Sequence, residues 1–183
     1  MTLKPHAYLV LGMLRLGAKS GYAIKKAADS GTRFTWPTSL AQVYPELARL
    51  EREGLVTRRE DPKGARARAA YELTDKGEAA LLSWLRETDI GPLQFRDEGS
   101  LRLFFADALP RQDQLALIGR MRERAQDTKT YLRREVLPLA EALEPAGTRF
   151  PAIVGRLGAD SWAYWERWLA RLEAQISEEG SPD

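Results

Sequence analysis

The fold is decided by residues 38–73, which read TSLAQVYPELARLEREGLVTRREDPKGARARAAYEL. The first part predicts a helix, because apolar residues recur every three or four positions, Thr38 or Ser39 can cap it, and Gly54 can end it. The apolar face of this helix consists of Leu40, Val43, Leu47 and Leu50. From Leu55 onward the period becomes alternating, which predicts two strands joined by a tip at residues 62–64. The stretch therefore predicts a helix followed by a β-hairpin.

Helical segments flank this stretch on both sides. Upstream, dense apolar residues predict a largely buried helix over residues 5–16, and Ser20 can cap a second helix, GYAIKKAADSG. In this second helix we expect Tyr22 to face inward and Lys25 to face outward. Downstream, Thr74 can cap a further helix within TDKGEAALLSWLRET. Three helices, a two-stranded hairpin and a closing helix are the element order of a winged helix-turn-helix.

A winged helix-turn-helix predicts how the chain meets DNA. The second helix crosses the phosphate backbone, the third enters the major groove, and the hairpin lies against the flanking backbone or minor groove. In the third helix, Ser39 and Gln42 can hydrogen-bond base edges, and Arg49 can reach a guanine or a phosphate. Tyr44 lies at the edge of the apolar face, so packing in the core and contact with DNA both remain open.

Positive charge is concentrated in the same half of the chain. Residues 1–88 carry 15 Lys or Arg against 10 Asp or Glu, whereas residues 89–183 carry 13 against 16. At the hairpin, Lys63, Arg66 and Arg68 are suited to phosphate contacts that release counterions. A basic half joined to a mildly acidic one favours a polyanionic partner on one side, with a chance asymmetry of solvated charges as the alternative.

Composition removes several classes of function. The 183-residue chain has no cysteine, which excludes disulfides, thiolate metal sites and cysteine nucleophiles. The single histidine, His6, begins an apolar helix, where capping or packing is expected, and no paired nucleophile, phosphate-cradling glycine loop or metal-ligand cluster is found. We therefore expect no enzyme activity, no metal and no cofactor. The longest apolar run is far too short to span a bilayer, and no small-residue cleavage site follows it. We therefore expect no membrane anchor and no signal peptide, and a location in the cytoplasm.

The second half predicts a helical dimerisation domain. Apolar residues keep a near-heptad spacing along one long helix, and a last helix carries a second stripe rich in tryptophan. Because neither helix can bury its stripe alone, we expect each to pair with the other and with a second protomer. The candidates for the dimer contact are Ile118, Met121, Ala125, Leu132, Val136, Leu139, Trp165, Trp168 and Leu172. The chain is thus predicted to be mostly α, with a DNA-binding domain at residues 1–88 and a dimerisation domain at residues 96–178.

Four aromatic residues, Trp162, Tyr164, Trp165 and Trp168, crowd into seven positions of the last helix. They could stack a planar aromatic effector between protomers, although aromatics at helical spacing more often form core or dimer contacts. If an effector exists, it acts by binding the DNA-competent and incompetent dimers with different affinity.

The motifs together resemble one family. The stretches LVLGMLRLGAKSGYAIKKA, SLAQVYPELARLEREGLVTRRE and YELTDKGEAAL are similar to those of the PadR family, the phenolic-acid-responsive group of transcriptional regulators. The segment FRDEGSLRLFFADALP further resembles the opening of the dimerisation domain in the virulence-activator-like subgroup. The resemblance implies that Tyr22, Ser39, Gln42, Tyr44 and Pro45 fall where the family meets DNA.

The resulting hypothesis is a homodimeric repressor that binds an inverted-repeat operator in double-stranded DNA, with half-sites about 34 Å apart or a multiple of that. The DNA-binding candidates are Ser20, Tyr22, Lys25, Thr38, Ser39, Gln42, Tyr44, Pro45, Arg49, Lys63, Arg66 and Arg68. The alternative is a winged-helix adaptor that binds protein and not DNA. The two are distinguished by salt, because only a DNA binder loses affinity steeply as salt rises.

Overall fold

The computed structural model describes residues 3–61 and 68–178. The chain divides into two compact units, Met1–Gly91 and Pro92–Asp183, each with its own hydrophobic core.

The first unit has the predicted element order. Its elements are helices α1 (Pro5–Arg15), α2 (Gly21–Gly31) and α3 (Leu40–Arg52), strands β1 (Val56–Asp61) and β2 (Arg68–Leu73), and helix α4 (Asp75–Leu85). Positive φ angles at Gly17, which follows α1, and at Gly54, which follows α3, let the chain reverse where other residues would be strained. The predicted winged-helix architecture is thereby confirmed.

The core of this unit lies between the first three helices. Its most deeply buried large side chains are Val10, Leu11, Ile24, Val43, Leu47, Leu50 and Val56. At one side of the core, Tyr8 of α1 and Trp84 of α4 stack with their ring centroids 4.5 Å apart. Helix α4 is thus anchored to α1 by an aromatic pair as well as by aliphatic packing.

The hairpin is fixed at its base by pairing and by a loop. Strands β1 and β2 are antiparallel, with Val56 opposite Leu73 and Asp61 opposite Arg68. The Tyr71 N–H donates to the carbonyl of Lys19 (2.8 Å), in the link between α1 and α2. Lys63 and Arg66 lie outside the described residues, and so does the side chain of Arg68.

Helix α4 begins against the backbone that leaves α3. The Thr74 hydroxyl donates to the Gly54 carbonyl (2.8 Å) and accepts the Gly77 N–H (3.0 Å), which caps α4. A Cβ atom at Gly77 would stand 2.0 Å from the carbonyl oxygen of Leu55. The Leu-Thr-x-x-Gly motif therefore has a structural cause, because only glycine lets the helix lie this close to the start of the hairpin.

Helices are the only regular secondary structure in the described part of the second unit. It contains α5 (Glu98–Phe104), α6 (Arg111–Tyr131), a π-helical segment (Leu132–Val136), α7 (Leu137–Glu141), α8 (Phe150–Glu178) and two 3-10 turns (Ala106–Ala108 and Glu144–Ala146). Ion pairs join Arg122 to Glu173, Lys129 to Glu166, and Arg133 to Asp160. As the residue number rises along α6 and the π-helical segment, the number of the paired residue in α8 falls. Helices α6 and α8 are therefore antiparallel.

Antiparallel packing changes the interpretation of the predicted dimer residues. Ile118, Met121, Ala125, Leu132 and Val136 are each at most 4% exposed, because α8 of the same chain covers them. They cannot offer direct contact to a second chain, and the assignment of these five to a dimer surface is corrected. Trp165, Trp168 and Leu172 are half-buried against the same core, whereas Leu139 is exposed.

Among the described residues, no helix combines the length and the apolar character needed to cross a membrane.

Gly77→Ala should destabilise the first unit strongly. The new methyl group collides with backbone oxygen, which cannot move aside as a side chain can, so we expect a loss of about 3 kcal/mol in the free energy of unfolding. Urea unfolding followed by far-ultraviolet circular dichroism measures the change.

Gly12→Ala is the matched control. A Cβ atom at Gly12, inside α1, meets nothing within 4 Å, so this variant should be unchanged or more stable by up to about 1 kcal/mol. Equal stability of the Gly77→Ala variant and the wild type would contradict the close approach.

Candidate nucleic-acid interface

The rotation of α3 determines which side chains it can present. Val43, Leu47 and Leu50 are fully buried, and the opposite side of the helix carries Ala41, Pro45, Ala48 and Arg52, all exposed. Leu40, which the sequence analysis placed on the buried face, is 38% exposed. Including Leu40 in the apolar face shifted the predicted outward surface toward Arg49, and this prediction is corrected.

Arg49 is engaged within its own helix. Its Nε lies 3.0 Å from Glu46 Oε1 and its Nη2 also contacts that oxygen, while its Nη1 lies 3.3 Å from Glu53 Oε1. The hydrogen bond to Glu46 and the charge of both carboxylates raise the pKa of Arg49 above its ordinary value. All three side chains are less than one-third exposed. Arg49 therefore has to leave two carboxylates before it can contact a base or a phosphate.

Ser39 and Gln42 form the start of α3. The Gln42 Oε1 accepts hydrogen bonds from the Ser39 N–H (3.1 Å) and hydroxyl (3.2 Å), which is the return half of a capping box. Gln42 remains exposed, and its amide nitrogen, which takes no part in this pair, can donate to a base edge. Gln42 can therefore cap α3 with its side-chain oxygen and contact a base with its side-chain nitrogen at the same time.

Three other predicted contacts have structural partners or are covered. The Ser20 hydroxyl accepts the Ala23 N–H (3.1 Å) and so caps α2. Lys25 forms an ion pair with Asp29 one turn later. The Thr38 hydroxyl is buried and has no hydrogen-bond partner among residues 3–61 and 68–178. Thr38 thus cannot reach DNA in this conformation, and its inclusion among the DNA contacts is corrected.

Two tyrosines stand out at the junction of α2 and α3. Tyr22 is 66% exposed, so the expectation that it faces inward is wrong. Tyr44 is 49% exposed, and its ring lies directly over Gly21, where a Cβ atom would come within 2.6 Å of the Tyr44 Cε1. The Gly21-Tyr22 and Tyr44-Pro45 pairs are therefore neighbours in space, and both tyrosines are exposed.

Sequence reasoning missed cations on α3 and β1. Arg52 is exposed on the same side of α3 as Pro45. A helical wheel with Val43, Leu47 and Leu50 at the centre of the buried face predicts this position. On β1, Arg58 and Arg59 are both exposed. The Arg59 Nη2 lies 3.6 Å from the Glu72 Oε2, so these two side chains form an ion pair. Arg58 and Arg59 appear in the sequence as the basic pair of LVTRRED.

The described residues contain no group of three or more His, Cys, Asp or Glu side chains able to hold a metal ion. The candidate interface brings together the exposed tyrosines, the Gln42 amide and the exposed arginines, which can hydrogen-bond phosphates and base edges.

Known proteins resemble the chain in sequence. The model of the transcriptional regulator PadR-like family matches residues 10–83. The negative transcriptional regulator PadR of Bacillus subtilis (strain 168) is 31% identical over 145 residues, covering 79% of this chain and 80% of the relative.

Solved structures resemble it in fold. The crystal structure of B. subtilis PadR in complex with operator DNA has a TM-score of 0.83 at 27% identity and covers 94% of this chain and 99% of that one. The same protein in complex with p-coumaric acid gives 0.71 at 26% identity, covering 96% and 99%. The Vibrio cholerae virulence activator AphA shares the fold, with a TM-score of 0.70 at 21% identity over 96% and 99% of the two chains.

These findings confirm the resemblance stated from the sequence motifs. Identity of this extent along most of both chains, on the same winged-helix architecture, makes the chain a member of the PadR family of transcriptional regulators.

Proposed function

We propose that the chain is a homodimeric repressor that binds an inverted-repeat operator. The observation that carries this proposal is the exposed surface formed by Tyr22, Gln42 and Tyr44 beside the small outward residues of α3. A relative with the same fold has been crystallised on operator DNA, and the curated relative is named a negative regulator, which supports both DNA binding and repression. Binding to chromosomal DNA implies a cytoplasmic location.

The shape of α3 suits insertion into a groove. Ala41, Pro45 and Ala48 have short side chains, so the helix backbone can come close to the base edges, and their methyl or methylene groups can contact thymine methyls. Gln42 can hydrogen-bond an adenine, and Arg52 at the end of the helix can reach a phosphate. In this proposal Arg49 stabilises the helix through its carboxylate partners and reads no base.

The tyrosines act as positioning contacts in the same proposal. Tyr22 and Tyr44 flank the inserted helix, and their hydroxyl groups can donate hydrogen bonds to phosphate oxygens. The ring of Tyr44 is held in place by Gly21 beneath it. Correct placement of this hydroxyl therefore depends on the absence of a side chain at position 21.

Gly21→Ala tests the role of Tyr44. The new Cβ displaces the ring, which is half-exposed and can move, so we expect operator affinity to fall about tenfold while stability changes by less than about 1 kcal/mol. Fluorescence anisotropy with a labelled duplex measures the affinity. Gly31→Ala, at the other end of α2, is the control, because a Cβ there meets nothing within 4 Å. Wild-type affinity of the Gly21→Ala protein would show that Tyr44 makes no energetic contact with DNA.

Selection of bound fragments from random-sequence DNA tests the function as a whole. An inverted repeat should be enriched, with half-sites separated by about 34 Å or a multiple of that distance. The affinity for the selected duplex should fall steeply with salt, and changing Lys63, Arg66 and Arg68 together to Ala should reduce the slope of log K against log salt by about 0.9 for each lost phosphate contact.

Arg86→Ala is the control for removal of a cation away from the hairpin, since Arg86 is an exposed cation that follows α4. Its salt slope should equal that of the wild type. Failure to enrich any motif, together with an unaltered slope for the triple variant, would favour the protein-binding adaptor.

Dimerisation follows in this proposal from the unusual composition of α8. Its inward side is lined by small residues, Ala152, Gly155, Ala159 and Ala163, which let the helix pack closely on the preceding helices. Its outward side carries large apolar residues, Phe150, Ile153, Val154, Leu157 and Tyr164, each 42% exposed or more. The chain's own helices shield only one apolar side of α8 from water. In the proposed dimer a partner chain shields the other side.

A second exposed apolar surface can meet the outward side of α8 of a partner chain in a two-fold dimer. Leu101, Phe104, Phe105 and Leu109 are exposed on α5 and the turn that follows it. Helix α5 begins beside the middle of α6, where Gly99 lies close to Met121 and Arg124, and the turn that follows it lies near the start of α6, where the Gln114 side chain donates to the Ala106 carbonyl. The outward apolar residues of α8, here called the α8 stripe, lie near α7 at the other end, where Arg156 pairs with Glu141. Pairing two copies about a two-fold axis brings each α5 surface onto the α8 stripe of the other copy, so the same contact forms twice and all four surfaces are covered.

Leu157→Glu should break this dimer, because it places a charge in the centre of the stripe. Light scattering coupled to gel filtration should report one chain per particle at micromolar concentration for the variant and two for the wild type. Gln126→Glu adds the same charge at an exposed polar position of α6 and should leave the dimer intact. A dimeric Leu157→Glu protein would place the interface elsewhere.

We also propose that an aromatic small molecule controls DNA binding, with no catalysis by the chain. The half-buried Trp165 and Trp168 meet edge to face, with centroids 5.6 Å apart, and offer an aromatic wall inside the second unit. The relative crystallised with p-coumaric acid supports this class of effector.

A further inference from the structure

The first turn of α3 carries an exposed leucine. Leu40 is the first residue of this helix and is 38% exposed, whereas Val43, in the same turn, is fully buried. Ala41 beside it is exposed as well. A helix-turn-helix contacts base edges with the N-terminal residues of its recognition helix. Leu40 and Ala41 therefore lie at the part of α3 that comes closest to the bases when the helix enters the groove.

Charged side chains are absent from this part of the sequence. Residues 34–45 contain no Lys, Arg, Asp or Glu, and the first charged residue of α3 is Glu46. Arginine and lysine are the usual readers of guanine, and carboxylates accept hydrogen bonds from cytosine. The first arginine of the helix, Arg49, is paired with Glu46 and Glu53. The start of α3 can thus distinguish base pairs only by neutral hydrogen bonds and by apolar contact.

Gln42 supplies only half of the usual amide contact. Its Oε1 accepts two hydrogen bonds from Ser39, which occupy both lone pairs of that oxygen. The amide nitrogen is left to donate, and the N7 atom that accepts from it in the major groove is present in adenine and guanine alike. A contact that identifies adenine also needs the oxygen, because the adenine amino group is a donor. While Gln42 caps α3, it therefore detects a purine without distinguishing adenine from guanine.

A methyl group can supply the missing distinction. In the major groove, a T·A pair presents the C5-methyl group of thymine, which a C·G pair lacks. An apolar side chain against this methyl group is favourable, because the contact removes apolar surface of both partners from water. Leu40 has a longer side chain than Ala41, so it can reach a methyl group that alanine alone does not.

We propose that Leu40 and Ala41 form a reading surface for the C5-methyl group of a pyrimidine, and that this contact separates T·A from C·G pairs where Gln42 does not. It rests on the proposed function, since α3 has to be the helix that enters the groove. 5-Methylcytosine carries the same methyl group at the same ring position, so the surface accepts a methylated cytosine as it accepts thymine. Methylation of a cytosine at that position of a binding site therefore strengthens binding.

Deoxyuridine in the selected operator tests the methyl contact. Uracil keeps the hydrogen-bonding groups of thymine and lacks only the methyl group. Each thymine of the half-site is replaced in turn, symmetrically in both half-sites, and affinity is measured by fluorescence anisotropy. At one position or more, we expect affinity to fall about fourfold for each lost methyl group and about fifteenfold for the symmetric pair.

Leu40→Ala assigns this effect to its side chain. The variant should bind the thymine operator about tenfold more weakly, and the symmetric deoxyuridine pair should then cost it only about twofold, because the partner of the methyl group is gone. Leu85→Ala is the matched control, since Leu85 is an exposed leucine at the end of α4, and it should retain the full deoxyuridine effect. Urea unfolding checks that both variants keep their stability. The deoxyuridine measurements on the wild-type chain decide the question even if Leu40→Ala does not fold.

The same position tests the acceptance of methylated cytosine. A C·G pair in place of the sensitive T·A pair should weaken binding, and 5-methylcytosine should recover about fifteenfold over cytosine when both half-sites carry it. Cytosine and 5-methylcytosine offer identical hydrogen-bonding groups, so a recovery reports the methyl group alone.

The possible results separate methyl reading from DNA binding itself. Operator binding that no deoxyuridine substitution weakens, or a deoxyuridine effect that Leu40→Ala retains in full, would overturn methyl reading by Leu40 and leave the proposed function standing. Equal affinity for cytosine and 5-methylcytosine would overturn the acceptance of methylated cytosine. If the chain selects no duplex at all, the proposed function fails, and methyl reading fails with it.

Discussion

Burial of Val43, Leu47 and Leu50 fixes the rotation of α3, and everything that the first unit presents to DNA depends on that rotation. With these three side chains in the core, Pro45 faces outward and Arg49 is turned toward Glu46 and Glu53. If α3 were rotated by one residue, Glu46 and Glu53 would face outward in place of the small residues. The phosphate backbone of DNA would repel these two carboxylates. The aliphatic contacts thus control the electrostatics of the surface as well as stability.

In the second unit the corresponding constraint is the size of the residues along α8. Small residues such as Gly155 and Ala159 allow close packing on the chain's own helices, and a Cβ at Gly155 would come within 2.9 Å of Leu137. The large residues are consequently left on the outside. A single chain covers only one of the two apolar sides of this helix, and in the proposed dimer the partner chain covers the other.

Most of the fold could be predicted from the sequence, whereas less of the site could. Element order and capping are local, and Ser20 and Thr74 cap helices as their positions indicate. Two features depend on contacts between residues far apart in the sequence and could not be predicted in this way. Periodicity showed that Ile118 and its neighbours are covered, but it could not show that the cover is the chain's own α8. Nor could it fix the rotation of α3, because Leu40 is apolar and yet exposed.

The two surfaces are connected by the requirements of specificity. The outward side of α3 is mostly small, so one copy offers few polar groups that distinguish bases, with Gln42 the main one. Each mismatched base pair costs about 1–3 kcal/mol, and a handful of contacts cannot separate one operator from a genome of competing sites. Doubling the contacts through a two-fold partner multiplies the discrimination of one half-site by that of the other. In the proposed dimer, the apolar stripe on α8 therefore supplies the second copy of α3 that specific binding to an operator requires.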